Sequence, residues 1–401
     1  MKVLIPIDET KFHFGELTKH TNPGLIRVGK KPIISYIIES YPKDTEFILA
    51  LDYKKDHIKD FLTLVYPKQS FKIISLSEID SFSKEPFLYH PTNLIRDIKA
   101  LHKARKNTYD KFDNLDKVDE SLFFFEDFAI KFFADGRKIK SRVQRGKMLG
   151  NLVPKTLQVK NNFYKYAYIK GDTYSDVATP HNFSQFLHWA KVKLWKPKKH
   201  LSEKEFNSVC FDFYQTKTKE RIAKFLDSHN ISDSEMIING EKIPSIETLL
   251  SQIDFGHISS GIQTQFHGDL ILENILLDKK EYTLLDWRQD FGGVLHAGDM
   301  YYDLAKLYHN LVVNHDIISK DRFVIDVKKN RVICSIERKP HLVVCEKTFE
   351  EFVISQKLDL RKIKILRAII WLNMSPLHHH PFSLFLYYFG KYNLWKAVNE
   401  K

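Results

Sequence analysis

The stretch FHGDLILENILL (Phe266–Leu277), followed by YTLLDWRQDFGG (Tyr282–Gly293), decides the fold predicted for this chain. Its first part places the tripeptide His-Gly-Asp next to apolar residues, which predicts a loop that presents Asp269. An asparagine, Asn274, follows five residues after that aspartate. One loop can therefore offer both a carboxylate and an amide oxygen to the same site.

The rest of this stretch predicts a β-hairpin. Two short apolar runs, Ile275–Leu277 and Tyr282–Leu285, are separated by the polar residues Asp278–Glu281, as is typical of two strands and their turn. Since the return strand ends at Asp286, the pattern predicts that Asp286 comes back beside Asn274.

These three polar side chains match the needs of phosphoryl transfer from ATP. One carboxylate must orient the attacking hydroxyl and accept its proton, which we assign to Asp269. A carboxylate and an amide oxygen must hold Mg²⁺ on the phosphates, which we assign to Asp286 and Asn274. The order of the three residues along the chain agrees with these roles.

The residues upstream, from about 107 to 171, predict a small sheet with one helix. In chain order we expect strands at Leu122–Phe125 and Phe128–Lys131, a helix at Arg137–Leu149, and strands at Thr156–Val159 and Tyr164–Ile169. Lys131 ends the strand FAIK, which is close to the V-A-I-K pattern. It is predicted to neutralise the α- and β-phosphates of a nucleotide.

The usual acidic partner of such a lysine is missing from the helix that follows it. No acidic residue occurs between Asp135 and Asp172, so either Gln144 replaces it as an acceptor or another element supplies the charge. Gln144 and Tyr168 are predicted to contact the nucleotide. A Gly-rich phosphate loop is also absent from residues 107–127. These absences favour weak or lost activity, whereas the intact set around Asp269 favours activity.

Residues 107–400 resemble the aminoglycoside phosphotransferase and choline/ethanolamine kinase superfamily. The likeness rests on His267–Leu270 with Asn274, on Asp286, and on the downstream segments Gly298-Asp299 and Tyr302–Ala305. An ordinary protein kinase fits less well, because the loop carries HGD where HRD is expected.

The resemblance implies an α+β, protein-kinase-like two-lobe fold, with a small β-rich lobe and a large helical lobe. It also implies ATP and Mg²⁺ as cofactors, with Asp269 as the base and Asn274 and Asp286 as the metal ligands. His267 is expected to be structural, and Asp303 to brace the catalytic loop.

The large lobe, residues 172–401, is predicted to be mostly helical. Apolar residues recur at three- and four-residue spacing in the following segments: Phe183–Leu194, Lys204–Asp227, Ile246–Ile253, Met300–Val313, Phe349–Leu358 and Leu360–Asn373. A hairpin is expected at Phe323–Val327 and Arg331–Ile336. Tyr214, Lys217 and Arg221 share one face of the second helix, which either contacts an anionic acceptor or is solvated.

The first 105 residues predict an N-terminal α/β Rossmann-like unit. Apolar strands at Val3–Ile7, Phe47–Leu51 and Phe71–Ser75 alternate with helical segments, which indicates a parallel sheet. Pro23–Ser40 resembles the start of sugar-phosphate nucleotidyltransferases. The Gly-rich loop of that family is replaced by DETKFHFGE, so we expect a truncated, degenerate relative. The predicted domains are therefore 1–105, 106–171 and 172–401.

Composition excludes several classes of protein. The chain has 401 residues, a net charge of +12 and 43% hydrophobic residues, which argues against disorder. Its three cysteines form no CxxC motif, which argues against a disulfide scaffold or a zinc knuckle. No nucleic-acid module is present, and no apolar run reaches the roughly 18–20 residues of a membrane span. We expect a cytoplasmic protein whose basic surface is solvated or attracts an anionic ligand or membrane face.

The sequence thus predicts an ATP- and Mg²⁺-dependent phosphotransferase that acts on a hydroxyl of a small molecule. The resemblance suggests choline, ethanolamine or a sugar as the acceptor, and surface-polysaccharide (capsule) or phospholipid-headgroup biosynthesis as the pathway. The alternatives are a sugar-phosphate or choline-phosphate nucleotidyltransferase and a non-catalytic nucleotide-binding scaffold. The acceptor itself and the oligomeric state do not follow from the sequence.

Overall fold

A computed structural model of the chain describes residues 1–10, 15–79, 87–92 and 119–400. The chain forms two compact units. Unit 1 comprises Met1–Gln144 with Pro154–Ile169, and unit 2 comprises Arg145–Val153 with Lys170–Lys401. The domain boundary predicted between residues 105 and 106 lies outside the described residues, so the predicted division into three domains stays a prediction.

The first part of unit 1 is a parallel sheet with helices. Its elements are β1 (Lys2–Pro6), α1 (Glu16–Lys19), β2 (Arg27–Val28), β3 (Lys31–Pro32), α2 (Ile33–Glu39), β4 (Glu46–Ala50), α3 (Lys55–Val65), β5 (Phe71–Ile74) and β6 (Leu88–Tyr89). The sheet order is β5-β4-β1-β6, with all neighbours parallel. The parallel pairing predicted from the alternation of strands and helices is therefore observed. The Rossmann-like character of this part stays a prediction.

The second part of unit 1 is an antiparallel sheet. Its elements are β7 (Glu120–Phe124), β8 (Phe128–Phe133), α4 (Gly136–Leu149), β9 (Thr156–Val159) and β10 (Phe163–Ala167), with residues 145–149 of α4 belonging to unit 2. The sheet order is β7-β8-β10-β9. The order of strands and helix is the one predicted for the small lobe of a protein-kinase-like fold.

Both sheets of unit 1 share one hydrophobic core. Phe61 of α3 is fully buried, and its ring centroid lies 5.6 Å from that of Phe123 on β7 and 6.2 Å from that of Phe163 on β10. The ammonium group of Lys165 on β10 also donates to the carbonyl of Leu64 at the end of α3 (3.0 Å). The N-terminal segment is therefore part of the packing that supports the antiparallel sheet.

Unit 2 is mostly helical, with short sheets. Its elements are β11 (Asp172–Thr173), α5 (Tyr174–Val177), α6 (Pro180–Lys193), α7 (Glu203–Phe211), α8 (Lys217–His229), β12 (Met236–Ile238), β13 (Glu241–Ile243), α9 (Ile246–Ser251), α10 (Phe255–Ile258), β14 (Gln263–Thr264), β15 (Ile275–Asp278), β16 (Glu281–Leu284), β17 (Gly298–Asp299), α11 (Met300–Val312), α12 (His315–Ile318), β18 (Phe323–Lys328), β19 (Arg331–Ile336), α13 (Pro340–Ser355), α14 (Leu360–Met374) and α15 (Phe382–Asn399). The buried helix α11 packs against α14, which packs against α15. Among the described residues, no helix combines the length and the apolar character that a bilayer span requires.

Two of the predicted helices differ from those observed. The segment predicted as one helix at Lys204–Asp227 is divided into α7 and α8 by a π-helical turn at Asp212–Thr216. The helix predicted at Phe349–Leu358 begins earlier, at Pro340, because a proline fits the first helical turn, where its missing N–H has no partner to lose.

Because Phe61 lies in the shared core of unit 1, we expect Phe61→Ala to lower the free energy of unfolding of this unit by about 3–5 kcal/mol, as is usual for truncating a buried phenylalanine. Urea unfolding followed by far-UV circular dichroism measures the change. Leu157→Ala on β9 is the control, because Leu157 is 46% exposed whereas Phe61 is fully buried. Equal effects of the two substitutions would contradict the shared core.

Candidate active site

The loop between β14 and β15 is held by a buried carboxylate. Asp303 of α11 is fully buried and accepts the backbone N–H groups of His267 (2.8 Å) and Gly268 (2.6 Å), together with the indole N–H of Trp195 (3.2 Å). Burial raises the pKa of Asp303 to about 6, and these donors act in the opposite direction. The side chain of Asp303 thus fixes the backbone of the loop to α11.

His267 joins the loop to the end of the hairpin. Its ring is fully buried, with Nε2 2.8 Å from the carbonyl of Leu285 and Nδ1 3.2 Å from the N–H of Asp269. The carbonyl requires a donor and the N–H an acceptor, so the ring carries its proton on Nε2. Burial lowers the pKa of His267 to about 4, which keeps it neutral. His267 therefore fixes Asp269 relative to the residue before Asp286.

The hairpin brings Asn274, Asp269 and Asp286 together. The amide nitrogen of Asn274 donates to the carbonyl of Asp269 (2.9 Å), and the N–H of Leu285 donates to the carbonyl of Asn274 (2.7 Å). With the amide nitrogen engaged, Oδ1 of Asn274 is the atom that can bind a cation. Asp286 lies just after the return strand and has a left-handed backbone (φ 51°), which few non-glycine residues adopt. An amide oxygen and a carboxylate are the hard oxygen donors that Mg²⁺ prefers, so this pair fits the metal.

Glycine is required at the centre of the His-Gly-Asp loop. Gly268 has φ 88°, and a Cβ atom there would lie 2.6 Å from Cβ of Arg288. The backbone N–H of Arg288 also donates to the carbonyl of His267 (2.9 Å). A side chain at position 268 would separate the loop from the segment that follows Asp286.

A lysine that the sequence analysis missed contacts the predicted base. Lys306 of α11 is nearly buried, and its ammonium group lies 2.7 Å from Oδ1 of Asp269. Lys306 is three residues after Asp303, so both project from the same face of the helix. That spacing is a signal from which Lys306 could have been found.

A second missed residue is Arg145, next to the predicted Gln144. Its guanidinium group is fully buried and donates to the carbonyls of Phe266, Arg288 (3.3 Å) and Leu295 (3.3 Å). It also lies 3.7 Å from the centre of the Phe266 ring. Arg145 thus connects the start of the His-Gly-Asp loop to the segment after the hairpin. No local pattern in the sequence indicates this role.

The turn that carries Asn274 is fixed from α11 as well. Asn310 accepts the N–H of Leu272 (2.9 Å) and donates to the carboxylate of Glu273 (2.8 Å). Asn314, just after α11, also donates to Glu273 (3.0 Å). Asn274, the predicted metal ligand, therefore lies in a turn whose flanking residues are held by side chains.

In unit 1, the acidic partner of Lys131 comes from the strand before it and not from the helix that follows it. Its ammonium group lies 3.1 Å from the carboxylate of Glu120 on β7, and both side chains are almost buried. Gln144 is exposed and forms no hydrogen bond among the described residues, so the strand before Lys131 supplies the charge. Tyr168 is partly exposed and follows β10. Contact of Gln144 or Tyr168 with a nucleotide stays a prediction.

Neither predicted role of Tyr214, acceptor contact or solvated surface, is correct. Its side chain is buried, and its hydroxyl donates to the carboxylate of Asp299 at the start of α11 (2.7 Å). The π-helical turn that contains Tyr214 interrupts the regular spacing on which the shared face was predicted. Lys217 and Arg221, beyond that turn, are half-buried.

The similarity of this chain to known proteins is low, both in sequence identity and in structure. No protein-family model matches the chain, and no curated protein matches it. Among solved structures, it is similar to an ethanolamine kinase from Plasmodium vivax (14% identity, 76% of this chain and 90% of that chain, TM-score 0.37). It is also similar to a glucosamine kinase (11% identity, 71% of this chain and 78% of that chain, TM-score 0.38). A choline/ethanolamine kinase family protein from Mesorhizobium loti is similar as well (14% identity, 70% of this chain and 85% of that chain, TM-score 0.35). At these TM-scores the likeness carries no argument about function, which must come from the side chains of the site.

The neutral, buried state of His267 predicts a pH dependence of stability. Between about pH 6.5 and 4 the unfolded histidine binds a proton and the folded one does not, so this contribution to stability is lost as the pH falls through that range. His267→Gln removes the effect. The destabilisation by this substitution should be about 2 kcal/mol smaller at pH 5 than at pH 8.

Urea unfolding followed by tryptophan fluorescence measures this difference. All five tryptophans lie in residues 170–401, the same part of the chain as His267, so their fluorescence reports on its unfolding. A destabilisation that does not change with pH would contradict the neutral state of His267.

Proposed function

We propose that this chain is an ATP- and Mg²⁺-dependent phosphotransferase that phosphorylates a hydroxyl group of a small molecule. One observation carries the proposal: Asp269, Asn274 and the residue before Asp286 are tied into a single hydrogen-bonded frame through His267. Phosphoryl transfer depends mainly on positioning and on electrostatic stabilisation, and a fixed frame of oxygen groups supplies both.

Asp269 is the proposed general base. Its carboxylate is partly exposed, whereas Lys306, which contacts its Oδ1 atom, is nearly buried. Lys306 orients this carboxylate, which is proposed to accept the proton of the acceptor hydroxyl. The same ammonium group supplies positive charge next to the site where negative charge develops.

Asn274 and Asp286 are the proposed Mg²⁺ ligands. When bound, Mg²⁺ neutralises charge on the phosphate oxygens. Lys131 is the proposed contact to the α- and β-phosphates, and Glu120 orients its ammonium group. Glu120 thus takes the place of the helix glutamate that the sequence lacks.

The resemblance found in the sequence adds an amino alcohol or a sugar as the proposed acceptor, and surface-polysaccharide or headgroup biosynthesis as the proposed setting. An ATP-consumption screen over amino alcohols, sugars and polyol phosphates tests the phosphotransferase. Pyrophosphate release from CTP or UTP with a sugar phosphate would instead favour a nucleotidyltransferase. Nucleotide binding without turnover would favour a scaffold.

Asp269→Asn should lower the turnover number by about 10²–10⁴-fold, because the amide cannot accept the hydroxyl proton. The rate of ADP formation with a saturating acceptor measures it. Asp278→Asn is the control, since Asp278 lies exposed at the hairpin turn. An unchanged turnover number in Asp269→Asn would show that Asp269 is not the general base.

Glu120→Gln should raise the KM for ATP about tenfold, because the buried ammonium group of Lys131 loses its charged partner and its fixed orientation. The exposed Glu126 provides the control, Glu126→Gln. Far-UV circular dichroism verifies that both variants fold. Equal KM values in the two variants would show that the Lys131–Glu120 pair has no role in nucleotide binding.

A further inference from the structure

Two cations of unit 2 lie against one aromatic ring near the proposed base. The ammonium group of Lys217 on α8 is 3.9 Å from the centre of the Phe213 ring, and the guanidinium carbon of Arg288 is 5.0 Å from the same centre. The ring of Tyr302 on α11 is in edge contact with Phe213 (5.0 Å). Side chains from three different segments therefore place positive charge around one apolar surface.

Among the described residues, one of the guanidinium N–H groups of Arg288 has no hydrogen-bond acceptor. Its Nη1 atom donates to the hydroxyl of Tyr302 (3.3 Å). Its Nε atom is buried and donates to no acceptor in the part of the chain that the structure describes. Tyr302 lies one helical turn before Lys306, which contacts Asp269, so the same face of α11 joins Arg288 to the base.

Among the described residues, the charged groups that act on Lys217 are mainly other cations. Burial, followed by repulsion from the nearby Arg288, Arg221 and Lys306, lowers the pKa of Lys217 to about 7, whereas Asp290 acts in the opposite direction. Burial also lowers the pKa of Arg221, with Arg288 as the next cause.

Carboxylates near these cations are bonded to other groups or exposed to solvent. Asp269 contacts Lys306, Asp290 accepts the N–H of Gly293 (2.9 Å), and Glu220 is exposed. Partly buried cations that repel one another are stabilised when an anion binds among them.

We propose that Lys217, Arg221 and Arg288 bind an anionic group, a phosphate or a carboxylate, that belongs to the hydroxyl acceptor. This inference rests on the proposed phosphotransferase and specifies its substrate class: a phosphorylated or carboxylated alcohol. A cationic amino alcohol such as choline would be repelled by the same side chains. Arginine and lysine are the usual ligands of such anions, because their hydrogen bonds to them are charge-assisted.

Matched acceptors test the charge preference. Glycerol is compared with glycerol 3-phosphate, and glucose with glucose 6-phosphate and glucuronate, alongside choline and ethanolamine. We expect kcat/KM to be at least about tenfold higher for an anionic member than for its neutral counterpart. The phosphate and carboxylate members identify which anion is bound. A preference for neutral or cationic acceptors would overturn the inference and leave the phosphotransferase intact.

Two substitutions locate the anion site on α8. Lys217→Gln and Arg221→Gln should each raise the KM for the anionic acceptor about tenfold and leave the KM for ATP unchanged. Lys219→Gln and Lys224→Gln are the controls, since both lysines are exposed on the same helix. An increase in the KM for ATP instead would assign these cations to the nucleotide and overturn the inference.

A binding measurement separates the inference from the proposed function. Calorimetric titration with glycerol 3-phosphate and glucuronate needs no turnover, and circular dichroism verifies that each variant is folded. Binding that Lys217→Gln abolishes, without ATP consumption for any acceptor, would support the anion site and refute the phosphotransferase. Binding that is equal in wild type, Lys217→Gln and Lys219→Gln would refute the anion site.

Discussion

The site in unit 2 depends on one interaction, the buried carboxylate of Asp303 and the backbone N–H groups that it accepts from the loop. A buried charge costs several kcal/mol unless hydrogen bonds offset it, so the loop N–H groups and the carboxylate stabilise each other. Asp303, Lys306 and Asn310 follow one another at three- and four-residue spacing on α11. They contact, in order, the start of the loop, Asp269 and the turn before Asn274. One helical face therefore sets the position of the whole loop.

Local patterns were sufficient to predict the parts of the site that neighbouring residues determine. The hairpin was predicted at Ile275–Leu277 and Tyr282–Leu285 and is found within one residue at each end, because its alternation and its turn are both local. Helix α11 was predicted to within one residue for a similar reason, the regular recurrence of its apolar positions. With the helix known, the three-residue spacing from Asp303 to Lys306 would have indicated that Lys306 also contacts the loop.

Contacts between distant segments were not predictable in this way. Glu120 reaches Lys131 because Leu122 lies opposite Lys131 in the sheet, which places Glu120 on the same face two residues away. That relation needs the strand register, which the sequence alone did not fix. Arg145 bonds to carbonyls more than 120 residues away, and no periodicity records such a pairing. The π-helical turn at Asp212–Thr216 is a further case, since a regular helix was the default expectation.

The net charge of +12 likewise carries no information about where the charge is used. Lys219 and Lys224 of α8 are exposed to solvent. Lys217, on the same helix, packs its ammonium group against the ring of Phe213. Tyr302 and Lys306 lie on one face of α11, so the helix that contacts Asp269, the proposed base, also contacts Arg288. Recognition of an anionic acceptor and orientation of Asp269 would then depend on the same rigid element. A substrate bound by its anion would place its hydroxyl relative to the base without any further moving part.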